Sequence, residues 1–580
     1  MPTPIPPTNL TWPYFGAGIG GLGVGGQPVV EPMPVCGPEE ILVRVDALGL
    51  CASDAKMVRM GPGYPLFFPR DFAANPARLG HEAALTVIEV GERWRQHYRP
   101  GQRLGVQANV YNGGQRAIFG VNIPGAMAQY LLLDERVLAG DEGAYVFPVS
   151  DDALSYADIA LLEPWACVDV AYTPVRRLEP KPGGDLWIRG RPGDDTPYHF
   201  SASLSSVRIF LADCPPSLLG SLRTQPLDLI DLPTPHPLLP TSYSLLPTSY
   251  SLLPTSYSLL PTPAFDDIIL LDPIHASAVA EAADHLAHGG VLNLVSPHPL
   301  DGLVAVDVGR LHYEPLAFVG CPGPDISQAY GPARNHSELR TGGVTLIVGA
   351  GGALGRMHVQ RALEMPEGPR AVIATNRGRV RLDSLIADFG PLARARGREL
   401  VGISPATEPD RLEAEIDRLT GGRGCDDVVV VAPNVEAMAQ AADYLAADGM
   451  LVLFAGVPVG TKIPLPLDRV ALHGAQFTGT SGSSVADELR VLAKVRAGQL
   501  SPARSVVAIG GMRAMAAGIQ AVIDQAYPGK IIIYPQLPDL PLLSLHELRN
   551  ALPKVYDCLG PNETWTREAE LLVSRDWLLD

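Results

Sequence analysis

The chain has 580 residues, 46% of them hydrophobic, and its 62 acidic and 45 basic residues give a formal net charge of −17. A chain of this length exceeds what one hydrophobic core supports, so we expect several domains. The acidic balance disfavours nucleic-acid binding, which needs a concentrated basic face, and no apolar run reaches the ~20 residues needed to span a bilayer.

The N-terminus and the cysteines indicate a cytoplasmic protein. The first residues, MPTPIPPTNLTWPYFGAGIGG, lack the basic start and apolar core of a secretory signal. The seven cysteines are widely scattered and include no CxxC pair. We therefore expect neither a disulfide framework nor a four-cysteine zinc lobe.

Residues 1–183 are predicted to form a β-rich domain. Short strand-like runs such as EILVRVDALGLC, ALTVIEVGE and MAQYLLLDE are separated by Gly, Pro and Asn turns. The stretch SYADIALLEPWACVDVAY then has helical periodicity after a serine cap. The pattern predicts a β-rich domain that closes with a helix.

Residues 341–500 alternate strands such as VTLIVGA, RAVIATN and MLVLFAG with amphipathic helices, which predicts a doubly wound parallel sheet. Residues 184–340 repeat this order more weakly: FDDIILLDPIHASAVAEAADHLAHGGVLNLVSP parallels CDDVVVVAPNVEAMAQAADYLAADGMLVLFAGV. We interpret 184–340 as an inserted, diverged second copy, with a chance similarity of two βαβ units as the alternative. Residues 501–580 are predicted to return to the first domain.

A low-complexity segment, LLPTSYSLLPTSYSLLPTSYSLLPTPAF, occupies residues 238–265 of the insertion. Its seven-residue period matches a coiled coil, but one proline per repeat forbids a continuous helix. Proline at this density is typical of an extended surface loop. We expect the segment to be dispensable for chemistry.

Three short motifs in the first domain, GLCASD, GHE and LLEPWACV, contain metal-ligating residue types. A catalytic zinc takes three protein ligands from Cys, His and carboxylate and leaves one position open. The candidate ligands are Cys51, His81, Glu82 and Glu163.

In this order the motifs resemble the zinc-dependent medium-chain dehydrogenase/reductase superfamily, which includes the alcohol and polyol dehydrogenases. The resemblance covers roughly 30–180 and 340–535 and implies a GroES-like catalytic domain with one catalytic zinc. It implies that Cys51 and His81 bind the metal. It leaves open whether Glu82 or Glu163 is the third ligand.

The same resemblance assigns roles to two neighbours of Cys51. Ser53 matches the hydroxyl that hydrogen-bonds the substrate oxygen and starts a proton relay. Asp54 matches a carboxylate that helps to orient the ligands. With Cys51 and His81, these two residues complete the predicted catalytic set.

The stretch VTLIVGAGGALGRMHVQRALE predicts a dinucleotide-binding turn between a strand and a helix. Glycine lets the backbone approach a pyrophosphate, and the helix N-terminus offers free N–H groups. The predicted cofactor-binding residues of the turn are Gly349, Ala350, Gly351, Gly352, Ala353, Leu354 and Gly355. We expect this turn and the metal motifs to serve one active site, although they are far apart in sequence.

The next strand ends at Asn376, where an NAD enzyme usually has an acidic residue for the ribose hydroxyls. Without that carboxylate a 2′-phosphate is not repelled, and Arg377 and Arg379 can pair with it. We therefore favour NADP over NAD as the cofactor. The alternative is that both arginines are solvated surface residues.

The inserted copy has no comparable turn. Its first strand leads into RGRPGDDTPYHF, where the glycines are wrongly spaced and two acidic residues would face a pyrophosphate. We expect no dinucleotide there, and a role in scaffolding or subunit contact instead.

A narrower resemblance joins GRMHVQRALE, EPW and the C-terminal NETWTREAE to sequences of the L-sorbose-1-phosphate reductase type. The long insertion departs from that type. A phosphorylated substrate would need a cation, and Arg59, Arg70 and Arg78 lie near the metal motifs in sequence. Structural roles for these arginines are the alternative.

The sequence thus predicts an α/β protein: a GroES-like domain, a Rossmann-type nucleotide domain and an inserted degenerate Rossmann-like domain. The predicted function is a zinc-dependent, NAD(P)-linked dehydrogenase for a small-molecule secondary alcohol or ketone, without nucleic-acid or membrane partners and possibly homo-oligomeric. The alternatives are an inactive NAD(P)-binding sensor or assembly protein, and a zinc-free quinone or enoyl reductase.

Overall fold

The structure is a computed structural model that describes residues 5–172, 177–201, 204, 207–232, 264–480 and 482–578. Residues 238–263 of the predicted LLPTSYS loop therefore lie outside the described residues.

The strands are β1 Thr8–Thr11, β2 Pro13–Tyr14, β3 Val29–Pro32, β4 Ile41–Gly49, β5 Ala77–Arg78, β6 Glu82–Val90, β7 Arg103–Val106, β8 Asn109–Asn112, β9 Gln115–Ile118, β10 Tyr130–Leu133, β11 Val146–Pro148, β12 Asp185–Arg189, β13 Arg208–Ala212, β14 Asp228–Asp231, β15 Phe265–Leu271, β16 Leu286–Val295, β17 Val304–Asp307, β18 Ala317–Cys321, β19 Val344–Val348, β20 Ala371–Thr375, β21 Glu399–Ile403, β22 Cys425–Val430, β23 Leu445–Leu453, β24 Lys462–Leu465, β25 Gln476–Thr478, β26 Val506–Gly511, β27 Lys530–Tyr534 and β28 Leu543–Ser544.

The α-helices are α1 Ala52–Met60, α2 Glu135–Leu138, α3 Tyr156–Ala160, α4 Leu162–Val170, α5 Pro216–Arg223, α6 Ala276–Asp284, α7 Val308–Tyr313, α8 Ala353–Glu364, α9 Arg379–Ala395, α10 Arg411–Thr420, α11 Val435–Gln440, α12 Asp468–Leu472, α13 Val485–Arg496, α14 Met515–Ile523, α15 Leu548–Ala551, α16 Pro553–Tyr556 and α17 Arg567–Leu578.

The described residues form two compact units. The first contains the residues up to Cys167 and those from Ser483 onward, and the second runs from Val168 to Gly482. None of the helices in the described part of the chain combines the length and the apolar character that crossing a bilayer demands.

The first unit is built on an eight-stranded sheet in the order β11-β7-β6-β4-β27-β26-β28, with β10 also paired to β4. Strand β4 is almost wholly buried, and its apolar residues share one core with those of β27. The C-terminal strands β26 and β27 thereby complete a sheet that N-terminal strands begin.

The second unit is built on a twelve-stranded sheet in the order β14-β13-β12-β15-β16-β18-β25-β23-β22-β19-β20-β21. Neighbours run parallel except where β18 meets β25. Strands β20 and β22 are buried along their whole length and β19 up to its last residue, as expected for parallel strands covered on both faces. The β-rich first unit and the parallel sheet confirm the predicted α/β class.

Two predicted helices end earlier in the structure than their sequence periodicity indicates. The helix over HASAVAEAADHLAHGG stops with α6, and the helix over VEAMAQAADYLAADG ends as a 3-10 helix, Ala441–Tyr444, that follows α11. Leu286 pairs with Phe265 and Leu445 with Cys425, so sheet hydrogen bonds replace helical ones there. The helix predicted after Ser155 is also divided, into α3 and α4.

Candidate active site

Three of the four predicted metal ligands meet in the first unit. Cys51 lies between β4 and α1, His81 directly precedes β6, and Glu82 opens β6. Because β4 and β6 are antiparallel neighbours, with Gly49 opposite Glu82, motifs distant in sequence become adjacent. The ligand atoms of Cys51, His81 and Glu82 all lie within 4.8 Å of one another.

The Glu82 carboxylate is completely buried and has one charged partner. Its Oε1 accepts a hydrogen bond from Lys530 Nζ at 2.5 Å. Its Oε2 is buried without a hydrogen-bond partner. A Cβ at Gly49 would lie 2.3 Å from Oε2, so a larger residue opposite it would displace the Glu82 carboxylate.

The first turn of α1 orients His81. Asp54 Oδ2 accepts from the Cys51 backbone N–H at 3.1 Å, and its Oδ1 lies 3.4 Å from His81 Nδ1. Ser53 Oγ lies 3.2 Å from His81 Nε2. Burial lowers the pKa of His81, but the charge and hydrogen bond of Asp54, with a contribution from Cys51, outweigh it and hold that pKa well above its usual range.

Glu163, the fourth predicted ligand, lies outside the 4.8 Å group. It is buried on α4, and its Oε1 is 3.8 Å from Cys167 Sγ one helical turn later. Burial raises the pKa of Glu163 to about 7, although His81 acts in the opposite direction. The two carboxylates therefore have different surroundings: Glu82 is held by Lys530, and Glu163 lies beside a thiol.

Lys530 is a site residue that the sequence analysis missed. It opens the apolar strand β27 and is almost completely buried, 448 positions from its partner Glu82. A lysine at the head of a buried apolar strand is an unusual feature, because a buried ammonium needs a partner. The buried lysine could therefore have been recognised from the sequence as a residue that needs an acidic partner. The sequence of the strand does not show that this partner is Glu82.

The three arginines considered for a substrate phosphate differ in their surroundings. Arg70 donates to the backbone carbonyls of Asn75 and Val121, and Arg78 pairs with Glu31. These two arginines have structural partners. Arg59 is exposed at the end of α1.

The glycine turn in the second unit has the predicted form. Gly349 follows β19 with φ +88°, and its N–H donates to the Thr375 carbonyl at 3.0 Å. Gly352 caps α8 without a side chain, so first-turn N–H groups stay open to a ligand. A Cβ at Gly355 would lie 2.3 Å from the Gly349 carbonyl oxygen, so this position admits only glycine.

The residues after β20 differ in their exposure and in the protein groups that they already contact. Asn376 lies against the turn, since a Cβ at Gly351 would be 2.6 Å from its side chain. Arg377 is exposed. Arg379 is already bound to two carboxylates, Asp383 at 2.9 Å and Glu408 at 2.6 Å.

Residues 37–140 match the alcohol dehydrogenase GroES-like domain. The chain is 29% identical over 212 residues to mannitol-1-phosphate 5-dehydrogenase of Aliivibrio fischeri, covering 36% of this chain and 49% of that protein. It is 28% identical over 261 residues to L-sorbose 1-phosphate reductase of Klebsiella pneumoniae, covering 44% and 61%. The chain thus spans about half of these relatives' length.

A solved structure extends the comparison to the fold. The 2R,3R-butanediol dehydrogenase from Bacillus subtilis superposes with a TM-score of 0.50 at 15% identity, covering 91% of this chain and 99% of that chain. These findings confirm the predicted resemblance to the zinc-dependent medium-chain dehydrogenase/reductase superfamily: the chain contains an alcohol dehydrogenase GroES-like domain and is similar to polyol-phosphate dehydrogenases.

Proposed function

We propose that this protein is a zinc-dependent, NAD(P)-linked oxidoreductase that interconverts a secondary alcohol and a ketone. The observation that carries the proposal is the group formed by Cys51, His81 and Glu82 within 4.8 Å. The substrate class, a polyol, sugar or sugar phosphate, rests on the similarity to mannitol-1-phosphate 5-dehydrogenase and L-sorbose 1-phosphate reductase.

The donor set fits zinc. A thiolate, an imidazole and a carboxylate are its usual ligands, and three protein ligands leave a position for substrate. The unpartnered Glu82 Oε2 supports this assignment, because a buried anionic oxygen without a donor is costly and a cation beside it removes that cost. We assign Cys51, His81 and Glu82 as the ligands, with Glu163 beside them.

When bound, zinc would polarise the substrate oxygen as a Lewis acid, and the nicotinamide would exchange hydride with the carbinol carbon. The chain's own residues position the reactants and move the proton. Ser53 is half-buried at the start of α1, so its hydroxyl can take the alcohol proton and pass it toward solvent. Asp54 keeps His81 in a fixed orientation, and Lys530 holds Glu82.

We propose that the turn from Gly349 to Gly355 binds the cofactor pyrophosphate, with NADP favoured over NAD. The absence of a carboxylate at Asn376 supports this preference. Since Arg379 is occupied by Asp383 and Glu408, we assign the contact with the 2′-phosphate to the exposed Arg377.

Metal content and turnover of Cys51→Ala test the proposal. We expect the purified protein to carry about one zinc per chain and to oxidise a member of a polyol panel, followed by reduced-nicotinamide absorbance. Cys51→Ala removes the thiolate and should lose both zinc and turnover. Cys36→Ala is the matched control, because Cys36 is a partly buried thiol outside the 4.8 Å group. A Cys51→Ala protein that keeps zinc and full activity would contradict the proposal.

A further inference from the structure

The twelve-stranded sheet consists of two halves with one strand order. The leading half, residues 181–323, arranges its strands as β14-β13-β12-β15-β16-β18. The trailing half, residues 340–482, arranges its strands as β21-β20-β19-β22-β23-β25. In each half the first strand in sequence lies third in the sheet and the last lies at the junction.

Several equivalent positions of the two halves are 159 residues apart in sequence, and the equivalent aspartates Asp267 and Asp427 are 427 − 267 = 160 residues apart. KPGGDLWI begins at Lys181 and RTGGVTLI at Arg340, a separation of 340 − 181 = 159 residues. Both lead-in turns make the same bonds. The Lys181 N–H donates to Asp267 Oδ2 at 2.9 Å, and the Arg340 N–H donates to Asp427 Oδ2 at 2.8 Å.

The halves join by pairing equivalent positions. In the antiparallel β18–β25 pair, Phe318 lies opposite Phe477, and 477 − 318 is again 159. In the antiparallel β17–β24 pair, Ala305 lies opposite Pro464, and 464 − 305 is 159 as well. Equivalent residues face each other in this way only across a two-fold axis, which is the geometry of an isologous dimer interface.

Packing at the junction follows the same symmetry. FVGCPG of the leading half corresponds to FTGTSG of the trailing half. A Cβ at Gly320 would lie 2.9 Å from the Ala471 nitrogen, and one at the equivalent Gly479 would lie 2.8 Å from the Leu311 carbonyl oxygen. Glycine at both positions allows the halves to approach closely.

The junction is also buried like a domain core. One hydrophobic cluster runs through both halves, and strands β17 and β24 each direct two apolar side chains into it. Apolar contact of this kind is typical of obligate dimers, whose interfaces resemble a core cut in two.

We infer that the leading half is a built-in partner: it fills, within one chain, the sheet-edge interface that a symmetric homodimer would build from two chains. The edge strand β25 is therefore not available to a second copy. Any self-association of this protein uses another surface.

The leading half keeps this interface without the glycine turn. Gly190 and Gly193 stand 159 residues before Gly349 and Gly352, but Thr196 stands where the trailing half has Gly355. No helix follows β12 among its described residues 190–201, 204 and 207. Among the described residues, the strand–glycine turn–helix arrangement that we propose for the cofactor thus occurs in the trailing half and not in the leading half.

The double variant Ala305→Cys/Pro464→Cys tests the inference in the full chain. Both positions are exposed and directly opposite each other. Opposed residues have Cα atoms about 4.5–5.5 Å apart, which is within disulfide range. We expect mild oxidation to form this disulfide within one chain, shown by peptide mapping and by single-chain mass on a non-reducing gel.

The controls separate the alternatives. In Ala305→Cys/Lys462→Cys the two cysteines are diagonal neighbours about 7–8 Å apart, and this variant should not form the disulfide. The unmodified protein shows which disulfides, if any, the native cysteines form under the same oxidation. Each single variant should remain one chain. If two chains formed this interface instead, each substituted position would lie opposite the same position of the second chain. Covalent dimers of either single variant would therefore overturn the inference. Interchain cross-linking of the double variant, or no disulfide in it, would do the same.

Discussion

The leading and trailing halves of the twelve-stranded sheet share one strand order but differ at the carboxyl end of their first strand. In the trailing half, β19 leads through Gly349 into helix α8. In the leading half, β12 leads to Arg191, which pairs with Asp272, and Asp272 also binds His298. An ion-pair network occupies the place that the open turn has in the other half.

Sheet topology and ligand binding therefore have separate requirements. The sheet needs apolar strands in register, and both halves provide them. The turn needs glycine at positions of close approach and a helix whose first N–H groups are open. Three pairs of substitutions test this separation.

The largest effect is expected from Gly355→Ala in the trailing half. A Cβ there would meet the Gly349 carbonyl oxygen at 2.3 Å, so the turn must open. We expect cofactor affinity to fall by at least about 100-fold, or about 2.7 kcal/mol, as measured by calorimetric titration.

Thr196→Ala is the matched control, since Thr196 occupies the equivalent position of the leading half and is partly exposed. Cofactor affinity should be unchanged. Thermal unfolding of both variants distinguishes a lost turn from a lost fold. If both variants weakened the cofactor equally, the assignment of binding to one half would be wrong.

A smaller effect is expected from the equivalent buried aspartates. Both aspartates accept from the backbone N–H of their lead-in turn, but Asp267 also pairs with Arg177 at 2.7 Å and accepts from Tyr330 at 3.1 Å. Asp267→Asn leaves Arg177 without its anionic partner. We expect a loss of about 2 kcal/mol in the free energy of unfolding at pH 8, below the value for a fully buried pair because Arg177 is partly exposed.

Asp427→Asn should instead change the pH dependence of stability. Burial raises the pKa of Asp427 to about 7. A raised folded-state pKa contributes stability that is complete below pH ~4 and is lost as the pH rises through about 7. The variant should therefore show a flatter decline between pH 4 and 8 in urea unfolding. Identical pH profiles for Asp427→Asn and the unmodified protein would sink this prediction.

The smallest effect concerns cofactor choice at the end of the second strand of each half. The trailing half has Asn376 and Arg377 after β20, and the leading half has Asp213 after β13. We expect Arg377→Ala to weaken NADP binding about 10-fold, or about 1.4 kcal/mol, and to leave NAD binding unchanged. Titrations with each cofactor measure this.

Arg379→Ala serves as the comparison, because Arg379 is held by Asp383 and Glu408 and should matter less to the 2′-phosphate. An equal loss for NAD and NADP in Arg377→Ala would show that the arginine does not read that phosphate.

Much of the local structure was predictable. The run VTLIVGAGGALG specified a strand, a turn and a helix start, and β19, Gly349 and α8 match it. The ends of the helices over HASAVAEAADHLAHGG and VEAMAQAADYLAADG were not predictable. The alanine-rich helical periodicity continues past the residue at which each chain segment begins to pair in the sheet. That Glu82, and not Glu163, lies within 4.8 Å of Cys51 and His81 was equally beyond the pattern, since both are carboxylates near strand or helix starts.

The residue pattern identified the chemical groups that are present: the ligand types around Cys51 and His81, the glycines of the turn, and the apolar strands. Which of these groups come into contact depends on the three-dimensional fold. Lys530 reaches Glu82 across 448 positions, Arg379 is taken by two carboxylates, and Phe318 lies opposite Phe477. The physical reason is that a strand's own pattern selects its buried face but not its neighbour or its register, which depend on the packing of the whole sheet.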